Sequence, residues 1–73
     1  MRTIEDLKIN ETATVKKLHG DTAVKKHIMD MGITKGTDVT LVKVAPLGDP
    51  MELRVRGYEL SIRAAEAKKI EIE

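Results

Sequence analysis

The sequence predicts a mainly β domain (α+β by content), a small antiparallel barrel of about five strands with one short helix. Three observations support this prediction. A chain of 73 residues is long enough for only one domain, so we expect residues 1–73 to form a single unit. Short β-branched and aliphatic runs alternate with Gly and Pro turn signals, whereas residues 22–31 carry apolar side chains at helical spacing. Curling into a barrel would protect the edges of so small a sheet.

The clearest pattern is a meander of three strands between residues 37 and 63. Pro46 and Pro50 cannot donate to a sheet ladder, so the chain must leave the sheet between them. Gly57 tolerates positive φ, which suits Arg56-Gly57 to a two-residue hairpin turn, with a bulged three-residue loop as the alternative. The two-residue turn sorts apolar from polar side chains, with Tyr58 facing the core. The predicted pairs are Val55 with Tyr58, Leu53 with Leu60, Met51 with Ile62, Arg54 with Glu59 and Glu52 with Ser61.

The first half of the chain predicts a helical turn, a strand and the helix. Thr3 and Asp6 have capping-box spacing, and residues 12–18 form a weakly alternating strand. Asp21 or Thr22 would cap the helix. Its apolar stripe would close one end of the barrel, and a left-handed glycine with a hydrophobic contact would end it. The stripe is Val24, Ile28 and Met31, and the ending is Gly32 followed by Ile33 packing on Ile28.

The remaining elements are short. Thr34-Lys-Gly-Thr37 has the composition of a turn, with Gly36 at the position that needs positive φ. Residues 63–69 suit one helical turn, and the alternating Ile70 and Ile72 predict a closing strand.

Composition narrows the function classes. The net charge is +1 and aromatic residues make up 1% of the chain, which argues against nucleic-acid binding and against an aromatic groove for Pro-rich peptides. The absence of cysteine removes disulfides and thiolate ligands, as in a reducing compartment. No apolar run is long enough to span a membrane and no signal peptide is recognisable, so we expect a cytoplasmic protein without direct membrane insertion.

Candidate chemistry is sparse. His27 and Asp30, at i and i+3 on the predicted helix, could share a transition metal, although metal sites usually need three or more ligands. We therefore expect no required cofactor and at most weak metal binding there. Neither histidine has a partner at the spacing of a zinc enzyme, and Ser61 has no nearby histidine. The sequence predicts no enzyme active site.

The loop from Pro46 to Pro50 is the candidate for protein binding. Two prolines stiffen it, and Leu47 at its tip is apolar without an evident need to be. A simple rigid surface loop is the alternative. The predicted partner contacts are Pro46, Leu47, Asp49 and Pro50.

These motifs together resemble the FeoA family of ferrous iron transport protein A. The resemblance extends over nearly the whole chain, and the matching stretches are Ile28-Met-Asp-Met-Gly-Ile-Thr-Lys-Gly36, Ala45-Pro-Leu-Gly-Asp-Pro50, Arg56-Gly-Tyr58, Leu60-Ser-Ile-Arg63 and Glu66-Ala67. The resemblance implies an SH3-like barrel and a cytoplasmic interaction module that supports or regulates FeoB, a membrane iron transporter with a GTPase domain. It does not imply an enzyme.

The alternative is a metal-binding or metal-responsive module. The chain is similar, more weakly, to the SH3-like domain of diphtheria-toxin-repressor-type metalloregulators. The sequence leaves the oligomeric state open.

Overall fold

Glycine and proline turns divide the chain into short elements, as the sequence predicts. The structure is a computed structural model that describes all residues from 1 to 73. Five strands form one antiparallel sheet in the order β4-β3-β2-β1-β5. The elements are a 3₁₀ turn (Ile4–Asp6), β1 (Thr12–Leu18), α1 (Thr22–Asp30), β2 (Asp38–Val44), β3 (Met51–Val55), β4 (Tyr58–Ile62), α2 (Ala64–Ala67) and β5 (Ile70–Ile72). The predicted five strands and short helix are confirmed.

The β3–β4 hairpin has the register that the sequence predicts, and all five expected pairs are present. Arg56 has φ of 52° and Gly57 has φ of 86°, so both central residues are left-handed. Two successive positive φ values define a type I′ turn, whose twist matches that of the flanking strands. The two-residue loop is therefore the correct alternative, and Arg56 tolerates a conformation that most side chains avoid.

Helix α1 is closed at both ends by local hydrogen bonds. The Val24 N–H donates to Asp21 Oδ1 at 2.9 Å, which makes Asp21 the N-cap. At the other end Gly32 has φ of 90°, its N–H donates to the Met29 carbonyl at 2.9 Å, and the N–H of residue 33 donates to the Ile28 carbonyl at 3.3 Å. This pair of bonds is the predicted Schellman ending.

The core is aliphatic. Its fully buried large side chains are Ile4, Val15, Ile28, Ile33, Val39, Leu41, Leu53, Val55, Ile62 and Ile70. From the predicted helix stripe, Ile28 is fully buried, whereas Val24 and Met31 are half-buried against the core. The apolar stripe of α1 therefore covers the core mainly through Ile28.

The predicted core position of Tyr58 is wrong. Its side chain is 49% exposed, and its hydroxyl donates to the Met31 carbonyl at 3.1 Å. Strand alternation places Tyr58 on the inner side of the sheet, but β4 is an edge strand, so no further strand flanks its first residue. The ring lies against the end of α1, where its hydroxyl finds a backbone acceptor.

The two edges of the sheet differ. Residues at the N-terminus cover the edge strand β5, because the Ile72 N–H donates to the Arg2 carbonyl at 2.9 Å and Thr3 pairs with Glu71. The outer edge of β4 has no such cover. None of the helices has the length and apolar composition needed to cross a membrane.

Candidate protein-binding site

The loop between β2 and β3 is held by its own backbone. The Gly48 N–H donates to the Ala45 carbonyl at 2.8 Å, and the Ala45 N–H donates to the Pro50 carbonyl at 3.0 Å. Gly48 takes φ of 86°, the left-handed conformation that lets the chain reverse after the tip. We refer to residues 45–50 as the tip loop. The first bond closes a tight turn and the second closes the whole loop.

Asp49 attaches the tip loop to the rest of the barrel. Its Oδ1 accepts a hydrogen bond of 3.0 Å from the N–H of Ala64, the first residue of α2. That N–H belongs to the unpaired first turn of a helix, so the carboxylate satisfies a donor that has no partner within α2. The sequence suggested Asp49 as a partner contact, and the structure places its carboxylate on α2. Asp49, Pro50 and Arg63 line a shallow depression beside this contact.

Leu47 projects from the tip loop and is 96% exposed, more than any other large apolar side chain of the protein. The neighbouring Pro46 and Pro50 are also exposed. Full burial of a leucine side chain stabilises an interface by roughly 1.5–3 kcal/mol. A leucine presented on a braced loop can therefore supply the apolar centre of a small contact.

The candidate metal ligands on α1 bind other side chains. His27 Nε2 lies 3.0 Å from Glu66 Oε2, so it joins α1 to α2, while Asp30 accepts from the Lys26 ammonium at 3.1 Å. No ion pair or hydrogen bond joins His27 to Asp30. No group of three His, Cys, Asp or Glu side chains converges anywhere in the protein.

A polar cluster that the sequence reasoning missed joins β1 to β5. His19 Nε2 donates to Glu71 Oε1 at 2.8 Å, and the Lys16 ammonium lies 3.6 Å from the other carboxylate oxygen. The hydrogen bond from His19 and the charge of Lys16 hold the pKa of Glu71 below its ordinary value, against the opposing effect of desolvation. His19 and Glu71 are 52 residues apart in the sequence, so no pattern of neighbouring residues predicts their contact.

Arg56 links the hairpin turn to the loop after α1. Its guanidinium donates to the Gly32 carbonyl at 3.4 Å and to the Thr37 hydroxyl at 3.1 Å. Tyr58 contacts the same segment through the Met31 carbonyl. The stretch Arg56-Gly-Tyr58 therefore joins two parts of the barrel, which gives this motif a structural role.

The site as a whole defines a class of protein. No buried polar side-chain atom lacks a hydrogen-bond partner. The protein is a small β barrel that presents an exposed leucine on a braced loop.

Comparison with known proteins identifies the family. The FeoA domain profile matches residues 2–73, so the chain belongs to the FeoA domain family. A fusion protein of Fe(2+) transport protein A and Fe(2+) transporter FeoB from Porphyromonas gingivalis is 34% identical over 70 residues, covering 96% of this chain. The chain spans only 8% of the length of that relative.

Solved structures agree with this assignment. A FeoA-like protein from Clostridium acetobutylicum superposes with a TM-score of 0.91 at 40% identity, over 99% of this chain and 84% of the other. Zinc-complexed FeoA from Stenotrophomonas maltophilia, described as an SH3 domain protein, has a TM-score of 0.80 at 26% identity, over 100% of this chain and 91% of the other. The predicted SH3-like fold is confirmed.

ScaR and a manganese-dependent transcriptional repressor share the fold. ScaR with bound Zn²⁺ has a TM-score of 0.87 at 18% identity, over 100% of this chain and 36% of the other. At this identity the likeness extends to the fold alone.

Proposed function

We propose that residues 1–73 act as one FeoA-type domain, an accessory protein of ferrous iron uptake that binds a FeoB-type transporter in the cytoplasm. The domain works by binding, not by catalysis, and it supports or regulates the transporter and its GTPase domain. Membership of the FeoA family gives the link to ferrous iron transport. The relative in which the two proteins form one polypeptide supports their association.

The exposed Leu47 on the braced tip loop is the observation that carries this proposal. Two backbone hydrogen bonds and the Asp49 contact hold the loop before any partner arrives. A pre-ordered loop loses little conformational entropy on binding, so more of the apolar contact energy remains as affinity. In this proposal Pro46 and Pro50 flank the contact, and Asp49 acts by holding the loop.

The alternative is a metal-binding or metal-responsive module, for which the zinc complex of the Stenotrophomonas protein is a precedent. In this chain His19 has one carboxylate neighbour, Glu71, and His27 has one, Glu66. A transition-metal site usually needs three or four protein ligands. We therefore favour protein binding over metal binding.

The test is a pull-down of the FeoB-type transporter from native membranes, with and without GTP analogues, using the parent protein and Leu47→Asp. The substitution should reduce transporter capture by tenfold or more, because removing a central apolar contact costs about 1.4–3 kcal/mol. The Tm should stay within a few degrees of the parent, since changes at fully exposed positions usually alter stability by about 0.5 kcal/mol or less.

Ile9→Asp is the matched control. Ile9 is also an exposed aliphatic residue, 57% accessible, but it lies in the turn before β1, outside the tip loop. This variant should bind like the parent. Equal loss in both variants, or a Leu47→Asp protein that binds normally, would contradict the assignment of Leu47. Absence of the transporter from every eluate of the parent would contradict the proposed partner.

A further inference from the structure

Helix α2 begins at a residue that cannot cap it. The N-cap is Arg63, whose side chain carries only hydrogen-bond donors and makes no cap bond. Two carboxylates satisfy the free N–H groups at this end instead. Glu66 Oε1 accepts from the Arg63 N–H at 2.9 Å. Asp49 Oδ1 accepts from the Ala64 N–H at 3.0 Å, so one carboxylate comes from α2 itself and the other from the tip loop.

The start of α2 depends on these hydrogen bonds because the helix is short. It has four residues, and a helix of that length is not stable by itself. Buried Ile62 and Ala67 anchor the chain on either side, whereas Arg63 is exposed. The backbone bonds of the turn run to the Arg63 carbonyl, and the Glu66 side chain binds the Arg63 N–H. Packing therefore fixes the ends of this segment, while Glu66 fixes the direction of the N–H groups at its start.

The tip loop takes its position from the same end of α2. Strands β2 and β3 hold the base of the loop, and its own two backbone bonds set its shape. The bond from the Ala64 N–H to Asp49 is the one hydrogen bond that joins residues 45–50 to another part of the barrel. The position of Leu47 therefore depends on where the start of α2 places the Ala64 N–H.

We propose that Glu66 is a positioning residue for Leu47. Its Oε1 fixes the first turn of α2, the Ala64 N–H then meets Asp49, and Asp49 holds the tip loop. Glu66 touches neither the loop nor the partner, so it acts entirely through these two hydrogen bonds. The inference rests on the proposed function and deepens it, because it adds a residue outside the tip loop on which partner binding depends.

The other oxygen of Glu66 has a lesser part. Oε2 lies 3.0 Å from His27 Nε2, and the His27 side chain is 64% exposed. Exposed pairs of this kind contribute little to stability. The contact with the Arg63 N–H therefore carries the positioning, and Glu66 should keep its effect on the loop when His27 is replaced.

The first test measures order in the tip loop of the protein alone. Backbone ¹⁵N relaxation compares the parent with Glu66→Ala. The order parameters of Leu47 and Gly48 should fall from about 0.85, the value of ordered backbone, to about 0.6 or below. The Tm should fall by no more than about 8 °C, the scale for one lost capping bond in a domain of this size. Unchanged order parameters at both residues would overturn the proposal.

Three matched variants identify the responsible oxygen. Glu66→Gln keeps an oxygen acceptor for the Arg63 N–H, and His27→Ala leaves that bond in place, so both should retain an ordered loop. Glu71→Ala also removes a carboxylate that pairs with a histidine, but Glu71 lies in β5 and makes no hydrogen bond or ion pair with α2 or the tip loop. This variant should keep the parent order parameters at the tip. A loosened loop in any of the three would contradict the assigned route.

A double variant tests whether Glu66 acts through Asp49. Asp49→Ala should loosen the tip loop by itself, because it removes the bond to the Ala64 N–H. If Glu66 acts through that bond, Glu66→Ala should add nothing in the Asp49→Ala background, since the two changes then break one connection. A further fall in the order parameters of Leu47 in the double variant would show a different route, and the proposal would be wrong.

Transporter capture connects the order of the loop to binding. Glu66→Ala should reduce capture about three- to tenfold, because the partner must then order the tip loop as it binds. Glu66→Gln should be captured like the parent. A Glu66→Ala protein with a loosened loop and normal capture would overturn the inference. The relaxation measurements use no transporter, so their failure is distinct from failure of the proposed function, which the pull-down of the parent tests.

Discussion

Gly32→Ala should destabilise the barrel more than its backbone angle alone requires. Gly32 has φ of +90°, and an added Cβ would lie 2.6 Å from the Tyr58 hydroxyl oxygen. The left-handed conformation costs about 1–2 kcal/mol for alanine relative to glycine. Displacing the hydroxyl also breaks its hydrogen bond to the Met31 carbonyl, which costs about 1 kcal/mol more. The expected total loss in the free energy of unfolding is about 2–3 kcal/mol.

Gly36→Ala separates the two contributions. Gly36 has nearly the same angle, φ of +88°, but no heavy atom lies within 4 Å of its added Cβ. In this variant the free energy of unfolding should fall only by the cost of the left-handed conformation, about 1–2 kcal/mol. Tyr58→Phe alone should lower the free energy of unfolding by about 1 kcal/mol, because it removes the hydrogen bond to the Met31 carbonyl.

The double variant Gly32→Ala/Tyr58→Phe decides the mechanism. Phenylalanine has no hydroxyl for the added Cβ to displace. The double variant should therefore lower the free energy of unfolding by about 2–3 kcal/mol, the same as Gly32→Ala alone, and not by the sum of the two single losses. Urea unfolding followed by circular dichroism measures the free energy of unfolding of the parent and of the four variants. In a domain of this size each 1 kcal/mol shifts Tm by about 4–8 °C. Additive losses, or equal losses at Gly32 and Gly36, would refute the contact with Tyr58.

Three further outcomes are expected. Gly57→Val should lower the free energy of unfolding by more than about 1 kcal/mol, because a β-branched residue is strained at φ of 86°; an unchanged Tm would contradict this. His27→Ala should leave folding and partner binding nearly intact, because the His27 side chain of its pair with Glu66 is 64% exposed and exposed ion pairs contribute little; a large loss of metal affinity would instead favour a metal site. The pKa of Glu71 lies below its ordinary value of 4.5, so the stabilisation from His19 is present above that pH and is lost as pH falls through the depressed value. The Tm difference between the parent and Glu71→Gln should therefore shrink on acidification, and a constant difference would contradict the linkage.

Turn and capping signals predicted most of the fold, because each depends on a few neighbouring residues that the sequence shows directly. The register of β3 and β4 followed from one turn, since a two-residue loop fixes which side chains face each other. The end of α1 followed from Gly32 and Ile33, because the Schellman ending needs a left-handed residue and then a hydrophobic one. In both places propensity, turn chemistry and apolar pattern agree, which is why the prediction succeeded.

Contacts between residues that are far apart in the chain could not be predicted from the sequence. Alternation placed Tyr58 on the inner side of β4 but carried no information about whether another element would cover it. The exposure of the ring follows from the position of β4 at the sheet edge. The bond between Asp49 and Ala64 and the pair of His19 with Glu71 likewise depend on how the sheet curls, which no local spacing records.

The role of Asp49 changes how the candidate site works. The sequence predicts Asp49 as a partner contact, and in the structure its exposed carboxylate also accepts a hydrogen bond from the first N–H of α2. This hydrogen bond joins the loop that carries Leu47 to the start of α2. In the proposed function the hydrogen bond of Asp49 holds the tip loop, and the exposed Leu47 is the group that the partner contacts.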